Sequence, residues 1–189
     1  TAILDLDPQA NAANWKDRRG ADSAPAVISV VPGRLPQAIE AAREAGADFL
    51  FIDTPGKSSD AAIAAAKAAD LVLIPVRRQV FDLETLAAVK EILQFAGNPR
   101  AAIVVNGIHP STRDPAAEAH RIGEGFGIPA APVYLSQRAA FADAPAAGQG
   151  PQEYDPNGKA AAEINALFAY VQNATGAQVH QQTKGRKQA

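Results

Sequence analysis

Phe49-Leu50-Phe51-Ile52-Asp53-Thr54-Pro55-Gly56 is the stretch on which the reading of the chain turns. Four apolar residues run unbroken into a carboxylate, and Pro and Gly follow closely. A continuous apolar run suits a strand covered on both faces, as in a parallel sheet between two helix layers. A carboxylate at the end of such a strand lies at the edge where open α/β sheets bind ligands. From there it can reach a Mg²⁺ ion, directly or through water, and the Pro-Gly pair lets the backbone turn close to a phosphate. Taken alone, the same residues also describe an ordinary strand-to-loop boundary.

The pattern extends in both directions. Upstream, residues 1–6 read as a buried strand interrupted by Asp5, and Asp7 follows. Residues 8–14 read as a polar turn and 15–24 as a charged, irregular stretch. Residues 26–31 are a strand stopped by Pro32 and Gly33. Residues 36–45 have helical spacing, with Pro in the first turn and Gly46 just past the end. Downstream, 58–69 is an alanine-rich helix and 71–76 a strand. Residues 82–96 form a helix capped by Asp82, with Leu83, Leu86, Val89, Ile92 and Leu93 as its apolar stripe. A strand at 101–106, a helix at 114–126, a strand at 131–135, a short helix at 138–144 and a last helix at 159–171 complete the series. Strands alternating with helices predict an α/β fold: a doubly wound, mostly parallel sheet with helices on both faces. We expect one domain over 1–172. Residues 173–189 are Gln-rich, basic and nearly free of apolar groups, the composition of a disordered tail.

Composition bounds the chemistry. The chain has 189 residues, 47% of them hydrophobic, which is enough for a sizeable core. Its formal net charge of −2 offers no global attraction to nucleic acid, leaving only a local basic patch. The absence of Cys excludes disulfides, thiolate metal sites and a Cys nucleophile, and it fits a cytoplasmic protein. No apolar run approaches the roughly 20 residues of a membrane-spanning helix, so no membrane partner is expected. There is no Met, and the chain opens at Thr1 directly inside an apolar run. We read this as a missing N-terminus.

Three further groups can carry chemistry. In Asp5-Leu6-Asp7-Pro8-Gln9 the two carboxylates stand at i and i+2, on one face of an extended strand. Neighbouring carboxylates repel unless a cation, a water network or a reacting group uses them; a pair of turn or cap residues is the plainer reading. Asn106, after Ile103-Val104-Val105 and before Gly107, has an amide that both donates and accepts, as an adenine edge requires. Asn before Gly is also a common turn. Arg113, Arg121, Arg138 and Lys159 are the candidates for a DNA-facing patch on the C-terminal half, although scattered cations are mostly solvated. His109, His120 and His180 show no metal-ligand spacing. Ser136 has no His and acid in a hydrolase arrangement. Trp15 is read as a dimer-surface residue or a local cover for the preceding loop.

Taken in order, these segments resemble the ParA/MinD family of deviant Walker ATPases, most closely its small plasmid-partition members. Asp-Leu-Asp-Pro-Gln followed by Ala-Asn is similar to the family's first switch. Ile-Asp-Thr-Pro is similar to its Walker B segment, and Leu-Val-Leu-Ile-Pro-Val to the strand after it. Residues 136–144, with Glu153-Tyr154 and the last helix, resemble the family's C-terminal section. The resemblance spans residues 2–171. It implies ATP and Mg²⁺ as cofactors, with Asp7 positioning the attacking water and Asp5 and Asp53 near the metal. Asn106 and the backbone around Leu135 and Ser136 would lie near adenine. It further implies an ATP-dependent homodimer, non-specific DNA binding on the nucleoid, and a ParB-like centromere-binding protein that stimulates hydrolysis.

The sequence departs from that pattern in three places. No Gly-x-x-x-x-Gly-Lys-Ser/Thr pattern occurs in the 189 residues; Gly56-Lys57 lies after the Walker B strand and cannot substitute. The family places a strand, this loop and a helix before the segment that opens the chain, with the strand inside the sheet. Well-ordered coordinates should therefore show a gap in the sheet or another segment filling it. Arg77-Arg78-Gln79 stands where the family more often carries small residues and proline. The end of the chain carries Lys184, Arg186 and Lys187. Two other readings stand beside the partition ATPase. One is an interaction module of the same fold that has lost nucleotide turnover. The other is an amide-forming synthetase of the dethiobiotin or cobyrinate type, for which no acceptor-substrate residues are found.

Overall fold

The computed structural model describes residues 1–56, 59–77 and 80–177. Several expectations lie outside the described residues: those for Lys57, Ser58, Arg78, Gln79, His180 and the basic end, and the capping and packing of the Asp82 and Leu83 side chains.

Among the described residues, six parallel strands form two separate three-stranded sheets. The first has the order β2-β1-β3, with β1 Ala2–Asp5, β2 Ala26–Ser29 and β3 Leu50–Asp53. The second has the order β4-β5-β6, with β4 Val72–Arg77, β5 Ala101–Ile108 and β6 Ala130–Ser136. Around them lie α1 Asn11–Arg19, α2 Leu35–Glu44, α3 Ser59–Ala68, α4 Val80–Phe95, α5 Pro115–Phe126, α6 Ala139–Ala146, α7 Pro151–Tyr154 and α8 Lys159–Thr175. This is the alternating α/β architecture that the sequence pattern predicts.

Side-chain alternation along β5 shows why the second sheet is covered on both faces. Ile103 and Val105 point one way, into a core with Ile74, Val76, Leu86, Leu93 and Ile122. Ala102 and Val104 point the other way, where Ala131, Leu167 and Tyr170 cover them. The first sheet packs Leu4, Leu6, Leu35, Ala61 and Ala65 into a smaller core.

Among the described residues, β3 has no strand neighbour on the side away from β1, and β4 none on the side away from β5. A cavity of about 980 Å³ lies between them, lined by residues 49–53 and 71–76 and roofed by helix residues including Ala65, Leu86 and Val89. The expected break in the sheet is therefore present as a mostly apolar slot.

Local structure differs from the sequence reading at several places. Residues 11–19, expected to be turn and irregular chain, form α1, which buries no residue and so shows no apolar stripe. β5 continues through Asn106 to Ile108, with Gly107 at φ +68, a conformation that favours glycine. α4 begins at Val80, which puts Asp82 in its first turn rather than before it. α8 runs to Thr175, past the expected start of the tail at 173. Its stop signal is Gly176, left-handed at φ +69.

Candidate functional site

β1 and β3 end side by side: Asp5 pairs in register with Asp53. Asp5 is only 1% exposed, and its carboxylate holds the turn that follows. One oxygen accepts the Asp7 amide at 3.0 Å, and the other accepts the Ala13 amide of α1 at 3.1 Å. The strand has already ended at Asp5, so Asp7 lies in the turn and not on the strand face. Asp7 accepts the Gln9 amide at 2.9 Å, and its carbonyl accepts the Ala10 amide at 2.8 Å. Ala10 closes this turn at φ 52, a left-handed position for a residue other than glycine.

Asp53 feels the other two carboxylates. Burial pushes the Asp53 carboxyl above the ordinary range, the charges of Asp5 and then Asp7 push it further, and a hydrogen bond from the Thr54 amide opposes them. Accumulated negative charge at strand ends is a setting that a cation relieves. Among the described residues, no three His, Cys, Asp or Glu side chains are grouped so as to hold a metal by themselves. Mg²⁺ takes one or two carboxylates and completes its shell with water and phosphate oxygens. Two carboxylates at adjacent strand ends are donors of that kind, and Asp53 and Asp5 are the residues that could hold the ion.

The second sheet carries the other half of the predicted set. Asn106 lies on β5 opposite Arg77 of β4. Ser136 ends β6 and is 6% exposed. Its amide and its hydroxyl both donate to Glu163 of α8, at 3.0 and 2.8 Å. Arg138 donates to the same carboxylate at 2.6 and 3.0 Å. Burial pulls the Glu163 carboxyl upward, but the hydrogen bonds from Arg138 and Ser136 outweigh it and hold it below the usual range. Glu163 thus fixes the loop after β6, a role the sequence reading did not find. Leu135, just before Ser136, is half-buried. The slot between β3 and β4 lies between these two groups of residues.

The four candidate DNA-facing cations do not share one environment. Arg138 is paired with Glu163, and Arg121 is paired with Glu118 on its own helix. Arg113 and Lys159 are exposed.

A third cluster joins α1 to the chain between α6 and α7. The Arg19 guanidinium meets the Glu153 carboxylate through both of its terminal nitrogens, at 2.6 Å for one of them. Arg19 also donates to the Gly148 carbonyl at 3.0 Å and lies 5.2 Å from the Trp15 ring centre. Trp15 Nε1 donates to the Gln149 carbonyl at 3.2 Å. The Arg19 hydrogen bond and the Gly150 amide hold the Glu153 carboxyl down at about 2. These partners are 134 residues apart in sequence, which is why no local pattern announces them.

Parallel strands alternating with helices define a doubly wound α/β protein. Residues 27–100 match the family described as ATPase MipZ. The chain is 28% identical over 171 residues to maintenance of carboxysome distribution protein A of Gloeobacter kilaueensis, covering 89% of this chain and 77% of that protein. MinD of Pyrococcus horikoshii OT3, solved with Mg-ADP, superposes with a TM-score of 0.69 at 16% identity, covering 94% of this chain and 86% of that one. MinD of Aquifex aeolicus gives 0.65 at 14% identity, covering 95% and 85%. A ParA family ATPase from Chlorobium tepidum TLS gives 0.62 at 15% identity, covering 89% and 83%. These comparisons show the fold shared with the MinD and ParA structures and support the resemblance to the ParA/MinD family of deviant Walker ATPases.

Proposed function

We propose that this chain is the nucleotide-handling core of a ParA-type ATPase that positions a cellular cargo, working as an ATP-dependent homodimer. The observation that carries the reading is the trio Asp5, Asp7 and Asp53 at neighbouring strand ends beside an open slot. Bound Mg-ATP would supply the phosphoanhydride bond that is hydrolysed. Asp53 and Asp5 would hold the metal, and Asp5 would also brace the turn through the Asp7 and Ala13 amides. Asp7, held in that turn, would orient the attacking water. Asn106 and the backbone at Leu135 and Ser136 would lie against the adenine. The phosphate cradle would come from a strand, Gly-rich Lys loop and helix seated in the slot between β3 and β4.

The cargo reading with most support from the sequence pattern is DNA. The dimer would bind DNA without sequence preference on the nucleoid, and a ParB-like centromere-bound partner would stimulate hydrolysis. Arg113 and Lys159, both exposed, are the better contacts in that reading, because Arg121 and Arg138 already hold carboxylates. A second reading, distribution of a protein compartment, is favoured by the carboxysome-distribution relative.

The 189-residue polypeptide by itself should hydrolyse Mg-ATP little above background. With a Gly-rich Lys loop present in the slot it should turn over, and Asp7→Ala should then keep ATP binding by calorimetry while losing hydrolysis. Loss of ATP binding in a folded Asp7→Ala protein would show that Asp7 holds nucleotide rather than water. Gel-shift assays on unrelated DNA duplexes separate the two cargo readings.

A further inference from the structure

We propose that Arg19 and Glu153 are positioning residues for the turn that carries Asp7. Together with the Trp15–Gln149 hydrogen bond they form a latch that locks α1 to residues 145–153, and through α1 the latch sets the Asp5–Ala10 turn. The catalytic consequence rests on the reading above; the mechanical coupling does not.

The α1 helix has no fully buried residue, only half-buried ones such as Ala12, Ala13 and Trp15, so apolar packing gives it a weak hold. Its directional attachments are hydrogen bonds and ion pairs spread from Ala13 to Arg19. At the N-terminal end, Ala13 donates to Asp5, and the same carboxylate takes the Asp7 amide. Towards the C-terminal end, Arg19 holds Glu153 and the Gly148 carbonyl, Arg18 donates to the Pro145 carbonyl at 3.0 Å, and Trp15 holds the Gln149 carbonyl. Lys16 and Arg19 add contacts to the Ser23 and Ala24 carbonyls of the next loop. α1 is therefore a short strut, about 13 Å long at helical rise, with the Asp7 turn at one end and the 145–153 segment at the other.

Two features make this junction tight. The Arg19–Glu153 contact is two-pronged, the geometry that gives an arginine–carboxylate pair direction as well as attraction. At Gly148 the two backbones meet so closely that a Cβ would lie 2.5 Å from the Arg19 amide nitrogen. A shift of the 145–153 segment is thus passed to α1, and from α1 to the turn. Anything that binds this segment, exposed at Ala146, Ala147 and Glu153, has a mechanical path to Asp7.

The latch has its own reporter, since Trp15 is the sole tryptophan. Glu153→Gln should shift Trp15 emission and speed amide exchange at Ala10 and Ala13 by about tenfold, equivalent to about 1.4 kcal/mol of lost protection, with Val104 unchanged. Exchanging the charges in Arg19→Glu with Glu153→Arg should recover most of that protection. Gly148→Ala, which keeps every latch side chain but displaces the backbone, should reproduce the loss. In the ATP-hydrolysing protein, Glu153→Gln should lower kcat about tenfold with KM for ATP unchanged, because misplacing a water-orienting group costs rate and not binding. The proposal is overturned if Trp15 emission shows the latch open while exchange at Ala10 and Ala13 stays as in the parent. It is also overturned if KM rises with kcat intact. Absence of any ATP turnover in the parent protein would instead sink the ATPase reading, and the exchange measurements would still decide the coupling.

Discussion

The two half-sheets follow the same parallel β–α order, yet they are covered to different degrees. In β2-β1-β3 each strand has four residues, Ile28 is 51% exposed and Phe51 39%. In β4-β5-β6 the strands run to eight residues, and Ile103 and Val105 are fully buried. The acidic turn sits on the weaker half and the Ser136–Glu163 anchor on the stronger. Mobile elements come from the least buried parts of a fold, so the acidic turn is placed where movement is easiest. The slot marks the boundary between the two.

The largest test of the contrast is amide exchange in the 189-residue polypeptide. Strand amides around Leu4 should exchange far faster than those around Val104, by about 100-fold or more, a gap of roughly 3 kcal/mol in opening free energy. Equal, slow exchange at both places together with one cooperative thermal transition would mean that the slot costs the first sheet nothing. A truncation in each half sharpens the comparison. Ile103→Ala should destabilise by about 2–5 kcal/mol, the range for an aliphatic side chain removed from a packed core. Ile28→Ala should stay within about 0.5 kcal/mol, as for exposed positions. Urea denaturation of both variants checks this, and similar losses would erase the distinction.

The smallest effect concerns charge. The folded protein raises the Asp53 carboxyl, so protonating it favours folding. That contribution is fully present below the unfolded value of about 4 and is lost as pH rises through the raised folded value. At pH 7 the ionised Asp53 therefore weakens the first half-sheet, and Asp53→Asn should raise the melting temperature there. The gain should vanish near pH 3, and Mg²⁺ should stabilise the parent more than the variant. A variant that melts lower than the parent at pH 7 would contradict the crowding of the three carboxylates.

Much of this division can be read in the chain without coordinates. Ile103-Val104-Val105 and Phe49-Leu50-Phe51-Ile52 declare their strands because an unbroken apolar run needs cover on both faces. Asp5 and Asp53 declare their place because each ends such a run. The α1 helix escapes notice because nothing on it is buried and its cap comes from Asp5, eight residues before Ala13. Asn106 looks like a turn residue because Gly107 follows it, whereas the strand carries on through both. Glu163 and Glu153 gain their roles through partners as far as 27 and 134 residues away. The break in the sheet was legible only through the family resemblance, since no property of residues 49–53 or 71–76 says which strand is their neighbour.

The slot also has a consequence for how the polypeptide behaves in company. Its walls, β3 and β4, each turn a row of main-chain donors and acceptors toward a space that no described strand fills. Open strand edges of this kind are templates for pairing with another molecule. Two copies that lend each other a strand would satisfy both edges, the usual route to exchanged dimers and, when the exchange fails to close, to fibres. The size distribution of the 189-residue polypeptide should therefore climb with concentration, and a short apolar peptide that fits between Phe51 and Ile74 should hold it monomeric.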